Sequence, residues 1–118
     1  MRTNPFVLDP FAVVYEAFTN LYPGKVVECY WTGPIESETG ESAYGQTIFE
    51  DDGTISILIS DGMLIPHAVE ILAHELAHAA AGIDEGHGPA WEEAFASIHD
   101  EYNRINKEES GELFEAKE

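Results

Sequence analysis

The sequence predicts an α+β domain of three helices and three strands. Three observations point there. Asp9-Pro10, Pro66 and Pro89 each open a stretch that reads as a helix, and residues 44–60 read as two strand-like runs around an Asp-Gly turn. The 118 residues, 44% of them hydrophobic, suit one folded unit with a real core. No internal repeat or second domain is evident, so residues 1–118 are read as a single domain.

Asp9-Pro10 ahead of Phe11 to Phe18 gives an N-cap, a proline at the first helical position and an amphipathic helix, which Pro23-Gly24 ends. Lys25 to Trp31 is short and rich in β-branched and aromatic residues, and reads as a strand. Thr32 to Ser42 carries Gly, Pro, Ser and Glu and reads as a loop. Tyr44 to Glu50 and Thr54 to Ser60 form a hairpin around a turn at Asp51-Asp52-Gly53, whose Asp-Gly pair supplies the positive φ angles of a tight turn. After Asp61-Gly62, Pro66 starts a helix that runs to about Ala81, and Gly82 is its C-terminal stop. Ile83 to Gly88 is a tight loop. Pro89 opens a third helix on which Trp91, Phe95, Ile98 and Tyr102 recur at helical spacing, as core residues do. The mostly charged Lys107 to Glu118 either frays or extends that helix.

Five basic residues against twenty-three acidic ones give a net charge of −18. Binding to nucleic acid rests on Lys and Arg neutralising phosphates, so direct DNA or RNA binding is not expected. The excess suits attraction to basic proteins or mimicry of a polyanion; a solubilising surface or adaptation to high salt would produce it as well. No segment approaches the roughly 18 consecutive apolar residues of a membrane helix, and Met1 to Pro10 does not read as a signal peptide. Cys29 is the only cysteine and forms no internal disulfide, which fits a cytoplasmic protein.

The chemistry concentrates in His74-Glu75-Leu76-Ala77-His78, an H-E-x-x-H run within the second helix. Residues four apart share a helical face, so both imidazoles can turn toward one cation. Glu75 lies near enough to take a proton from a water which that cation activates, the chemistry of a zinc peptidase. A catalytic zinc usually has three protein ligands, so a third is needed. His87, nine residues after His78, sits within Gly86-His87-Gly88-Pro89, where flanking glycines permit a sharp turn and the proline starts the next helix. Asp84 is the rival: its spacing from His78 matches metzincin-type sites, but those place a glycine three residues after the second histidine, where this chain has Ala81. His67, seven residues before His74, falls on nearly the same face, although it also reads as a surface residue at the helix start. His99 reads as a surface or interface side chain. Glu70, one turn before His74, is either a hydrogen-bond partner for a ligand imidazole or a solvated helix residue.

The run Gly53 to Ser60, then Val69 to Ala79 containing the motif, then His87-Gly88-Pro89-Ala90-Trp91, resembles the SprT-like metallopeptidases, a group that includes the Spartan proteases acting on proteins crosslinked to DNA. The resemblance covers roughly residues 44–106. It implies that His74, His78 and His87 bind zinc and that Glu75 is the catalytic base. It also implies a compact α+β zincin core, with a small antiparallel three-stranded sheet packed on the active-site helix and two further helices. Many relatives add a zinc ribbon or a basic DNA-binding segment; this chain has neither cysteine pairs nor a basic stretch.

The expected activity is zinc-dependent endopeptidase cleavage of protein or peptide substrates, basic ones in particular. Thr54 to Ser60, if it forms the sheet edge beside the cleft, can pair with an extended substrate. Tyr44 and Tyr102 are candidates for stabilising an oxyanion. Two other classes fit the same residues: an acidic binding or decoy module with a structural zinc, and a zinc hydrolase acting on a different amide.

Overall fold

The computed structural model describes residues 9–36 and 42–115. The expectations for Met1 to Leu8, for 37–41 and for 116–118 lie outside the described residues. Helix α1 is Pro10–Leu21; strands β1 Val27–Thr32, β2 Ile35–Glu36, β3 Ser42–Ala43, β4 Gly45–Phe49 and β5 Ile55–Ser60 follow; helices α2, Ile65–Ala81, and α3, Pro89–Glu115, complete the chain. The molecule is thus a small α+β domain with three helices and a three-stranded sheet. Among the described residues no helix is long and apolar enough to cross a membrane.

Local chemistry explains the boundaries. Asp9 caps α1, its Oδ1 accepting from the amides of Phe11 at 3.0 Å and Ala12 at 3.4 Å, while Pro10 occupies a position that needs no donor. The hairpin β4–β5 closes through Glu50, whose amide donates to the Thr54 carbonyl at 2.9 Å. Only Gly53 in that turn has positive φ, at 92°, so the three-residue loop needs one left-handed residue and not the two of a tighter turn. Asp52 completes it, accepting from the Thr54 amide at 3.0 Å and hydroxyl at 2.6 Å. Those bonds hold its carboxyl below the usual range.

Two expectations are corrected here. The sheet is mixed, not antiparallel: its order is β1-β5-β4, with β5 antiparallel to β4 but parallel to β1. A strand's residue pattern states which side chains face the core and not which way its neighbour runs, so the orientation of β1 was invisible. Consequently Thr54 to Ser60 is the central strand and cannot receive a substrate strand; the edge strands are β1 and β4. The loop expected over Thr32 to Ser42 is also interrupted at its described ends, where Ile35 and Glu36 pair antiparallel with Ala43 and Ser42. A ladder of two pairs is too short to leave an alternation in the sequence.

Register places Val27, Cys29 and Trp31 of β1, Ile55, Ile57 and Ile59 of β5, and Gly45, Thr47 and Phe49 of β4 on one face of the sheet. Against that face lies α2, with α1 and α3 packed on α2 and on each other, and Phe11 of α1 reaching the Trp31 ring of β1. Phe18, Ile57, Leu76 and Ile98, all fully buried, mark the centre of the core. Of the aromatic stripe expected on α3, Ile98 is in the core, while Trp91, Phe95 and Tyr102 are half-buried beside it.

Candidate metal centre

Helix α2 buries Leu72, Ala73, Leu76, Ala77 and Ala79 and leaves His74 and His78 half-buried along the flank of that apolar face. Gly82, at φ 103°, stops the helix, its amide donating to the His78 carbonyl at 3.0 Å. Two turns then fold the chain back: Glu85 donates its amide to the Gly82 carbonyl at 3.3 Å, and Gly88 donates to that of Glu85 at 3.1 Å. Gly86 between them has φ of 60°, a value most side chains avoid. The Glu85 carboxylate accepts from the Ala90 amide at 2.9 Å, tying the loop to the positive end of α3. This loop is what returns His87 to α2.

The three imidazoles converge. Nε2 of His87 lies 3.1 Å from Nε2 of His78 and 3.1 Å from Nε2 of His74. One ring nitrogen carries one proton or one lone pair, so His87 Nε2 cannot make both contacts as good hydrogen bonds. Three Nε2 lone pairs directed at a shared cation satisfy the arrangement. Tetrahedral zinc, with nitrogens at ~2.0–2.1 Å, holds them roughly 3.3 Å apart, and the donor set therefore fits that ion. Among the described residues no other three His, Cys, Asp or Glu side chains converge in this way, and Asp84 is outside the group.

Trp91 braces the three rings. Its ring centroid is 4.9 Å from that of His74, 5.7 Å from His78 and 4.7 Å from His87, and its Nε1–H donates to the His74 carbonyl at 3.2 Å. Burial and the facing His87 lower the pKa of His74. Burial together with the other two imidazoles pushes His78 down to about 4. Neutral rings are the form that binds a metal.

Glu75 is buried and lines the same cleft of about 570 Å³, together with β4 and the loop 82–87. Its Oε1 accepts from the Thr47 hydroxyl at 2.6 Å, and that hydroxyl also lies 3.1 Å from the Glu75 carbonyl. Burial raises the Glu75 pKa, while the Thr47 bond and the nearby His87 work against the rise. Gly45 makes the close approach of β4 possible: a Cβ there would stand 2.6 Å from Ile71 Cγ2 and 2.9 Å from Glu75 Oε2.

The other sequence candidates are placed elsewhere. His67 is exposed and faces the ring of Tyr44, 5.1 Å away between centroids. Glu70 turns to α3, with Oε1 3.3 Å from His99 Nε2, so it supports none of the three imidazoles. Tyr102 lines a small cavity with His99 and Glu70, and neither it nor Tyr44 lines the cleft. Thr47, Gly45 and the bracing role of Trp91 were not foreseen. Thr47 stands 28 residues before Glu75, and only the strand register connects them; Trp91 carried a helical-spacing signal that reads equally as core.

A hydrogen bond to a charged group contributes about 1.5–3 kcal/mol. If Glu75 acts as a base, Thr47→Val should slow the reaction about tenfold or more with metal content unchanged, and Thr47→Ser should restore it. Steady-state rates with metal analysis check this; equal rates for the Val variant and wild type would remove Thr47 from the site.

No protein-family model, curated protein or solved structure matches this chain.

Proposed function

We propose that the chain is a zinc-dependent endopeptidase of the SprT-like type. The observation that carries this reading is the convergence of the His74, His78 and His87 Nε2 atoms beside a buried Glu75 carboxylate, in an open cleft. His74, His78 and His87 would hold the zinc, which when bound would supply a Lewis acid able to polarise a carbonyl and to make water acidic enough to attack near neutral pH. The Glu75 carboxylate takes the proton of the attacking water and passes it to the leaving amine. Thr47 keeps that carboxylate turned into the cleft. The outer edge of β4, which no other described strand pairs with and which borders the cleft, pairs with an extended substrate and presents its backbone to the site.

Structural zinc sites are closed by four protein ligands. Three converging imidazoles, with His87 exposed, favour a catalytic site over the structural zinc of a decoy module. A peptide substrate is favoured over another amide by the strand edge along the cleft. With a charge of −18, the preferred substrates are basic segments and not nucleic acid. The single cysteine is consistent with a cytoplasmic setting.

The test is cleavage of an unstructured basic polypeptide, followed by mass spectrometry. Cleavage should cease after chelation and return with one equivalent of zinc. Activity that survives complete removal of metal would refute the proposal.

A further inference from the structure

Among the described residues the outer edge of β1 is open. One side of Val27–Thr32 pairs with β5, and among the described residues no strand pairs with the other. Proteins usually guard such an edge with lysine, proline or a bulge. The run Val27-Glu28-Cys29-Tyr30-Trp31-Thr32 contains neither lysine nor proline, and Glu28 is its one charged residue.

The two faces of β1 differ in chemistry. Val27, Cys29 and Trp31 stand beside the buried Ile55, Ile57 and Ile59 and so face the helices. Val27 is buried, but the helix layer stops short of Cys29 and Trp31: Trp31 is 56% exposed, and Tyr15 on α1 is 41% exposed. A cavity of about 300 Å³ lies there, lined by Phe11, Tyr15, Cys29, Trp31 and Leu72 among others. Phe11 meets Trp31 edge-on, with centroids 4.9 Å apart. Cys29 is exposed, and no acidic or basic side chain lines the cavity.

Glu28 and Tyr30 occupy the opposite face, where the Tyr30 hydroxyl donates to the Glu28 carboxylate. Glu50, which accepts from the Ser56 hydroxyl at 3.1 Å, is near enough that both carboxylates raise the Tyr30 pKa. One face of the edge is therefore apolar and the other anionic, and side chains of an added strand would alternate between them. A second copy of this chain would bring another −18 charges to the same edge, which disfavours self-pairing.

We propose that the β1 edge docks an extended segment of a basic partner protein. The segment adds as a strand beside β1, its apolar side chains entering the Phe11–Tyr15–Trp31 cavity and its alternate basic side chains lying against Glu28 and Glu50. The site is separate from the metal centre: Leu72 of α2 faces this cavity, whereas His74, Glu75 and His78 line the cleft, which is bordered by the opposite edge strand, β4. It does not depend on the peptidase reading.

The probe is a fluorescent heptapeptide alternating lysine with valine and phenylalanine, titrated against the Glu75→Gln protein so that no cleavage intervenes. Two further peptides carry N-methyl groups on one or the other set of alternate amides. Saturable binding is expected at a site that persists in the presence of chelator. One N-methylated peptide, and the variants Trp31→Ala and Glu28→Lys, should each bind about tenfold more weakly. The proposal is overturned if no saturable binding occurs, if both N-methylated peptides bind like the parent, or if Trp31→Ala leaves affinity unchanged. Self-association of the wild type that Trp31→Ala abolishes would assign the edge to a second copy, and overturns it too.

Discussion

Glu75→Gln is expected to retain the fold and bound zinc and to lose about 10²- to 10⁴-fold in peptide cleavage, the usual contribution of a general base. Glutamine matches the shape of glutamate, and its amide oxygen can still accept the Thr47 hydroxyl bond at the position now 2.6 Å away. What disappears is the ability to accept a proton. The converging His74, His78 and His87 are untouched, so on the proposed mechanism a deficit in kcat with unchanged metal content separates loss of the base from loss of the site. Kinetics on metal-analysed samples make the comparison; cleavage at the wild-type rate, with contaminating protease excluded, would rule out Glu75 as the base.

Phe18→Ala carries the largest expected loss of stability, about 3–5 kcal/mol, because deletion of a buried ring forfeits its transfer energy and leaves a cavity. Phe18 is fully buried on α1, its ring 5.5 Å from that of Tyr22, in the core where α1 meets α2 and α3. Small domains are stable by only about 5–15 kcal/mol, so the variant should approach the limit of folding. Denaturation must be followed without metal, since a ligand present at 100 times its Kd adds about 2.7 kcal/mol to the folded state. A loss below about 1 kcal/mol would show that the core is not organised around this residue.

Much of this organisation was legible because it is local. Asp9-Pro10, Gly53 and Gly82 act on their own neighbours, and each sits at the boundary its chemistry dictates. The pairing of His74 with His78 follows from helix geometry alone. The return of His87 was readable from the glycines around it, since a short loop leaves few directions. Features that depend on distant segments were not legible. The parallel pairing of β1, the central position of β5, and the meeting of Thr47 with Glu75 are all set by the packing of the whole sheet on α2. Glu70 illustrates the same limit: its choice between the imidazoles and His99 is decided by where α3 lies.

The most direct measurement is zinc content per chain, determined by elemental analysis on wild-type protein and on His74→Ala, His78→Ala, His87→Ala and Asp84→Ala, all confirmed as folded. The three-imidazole centre predicts one zinc in the wild type and in Asp84→Ala, and a marked loss in each histidine variant. A full zinc complement in His87→Ala together with an empty site in Asp84→Ala would contradict it.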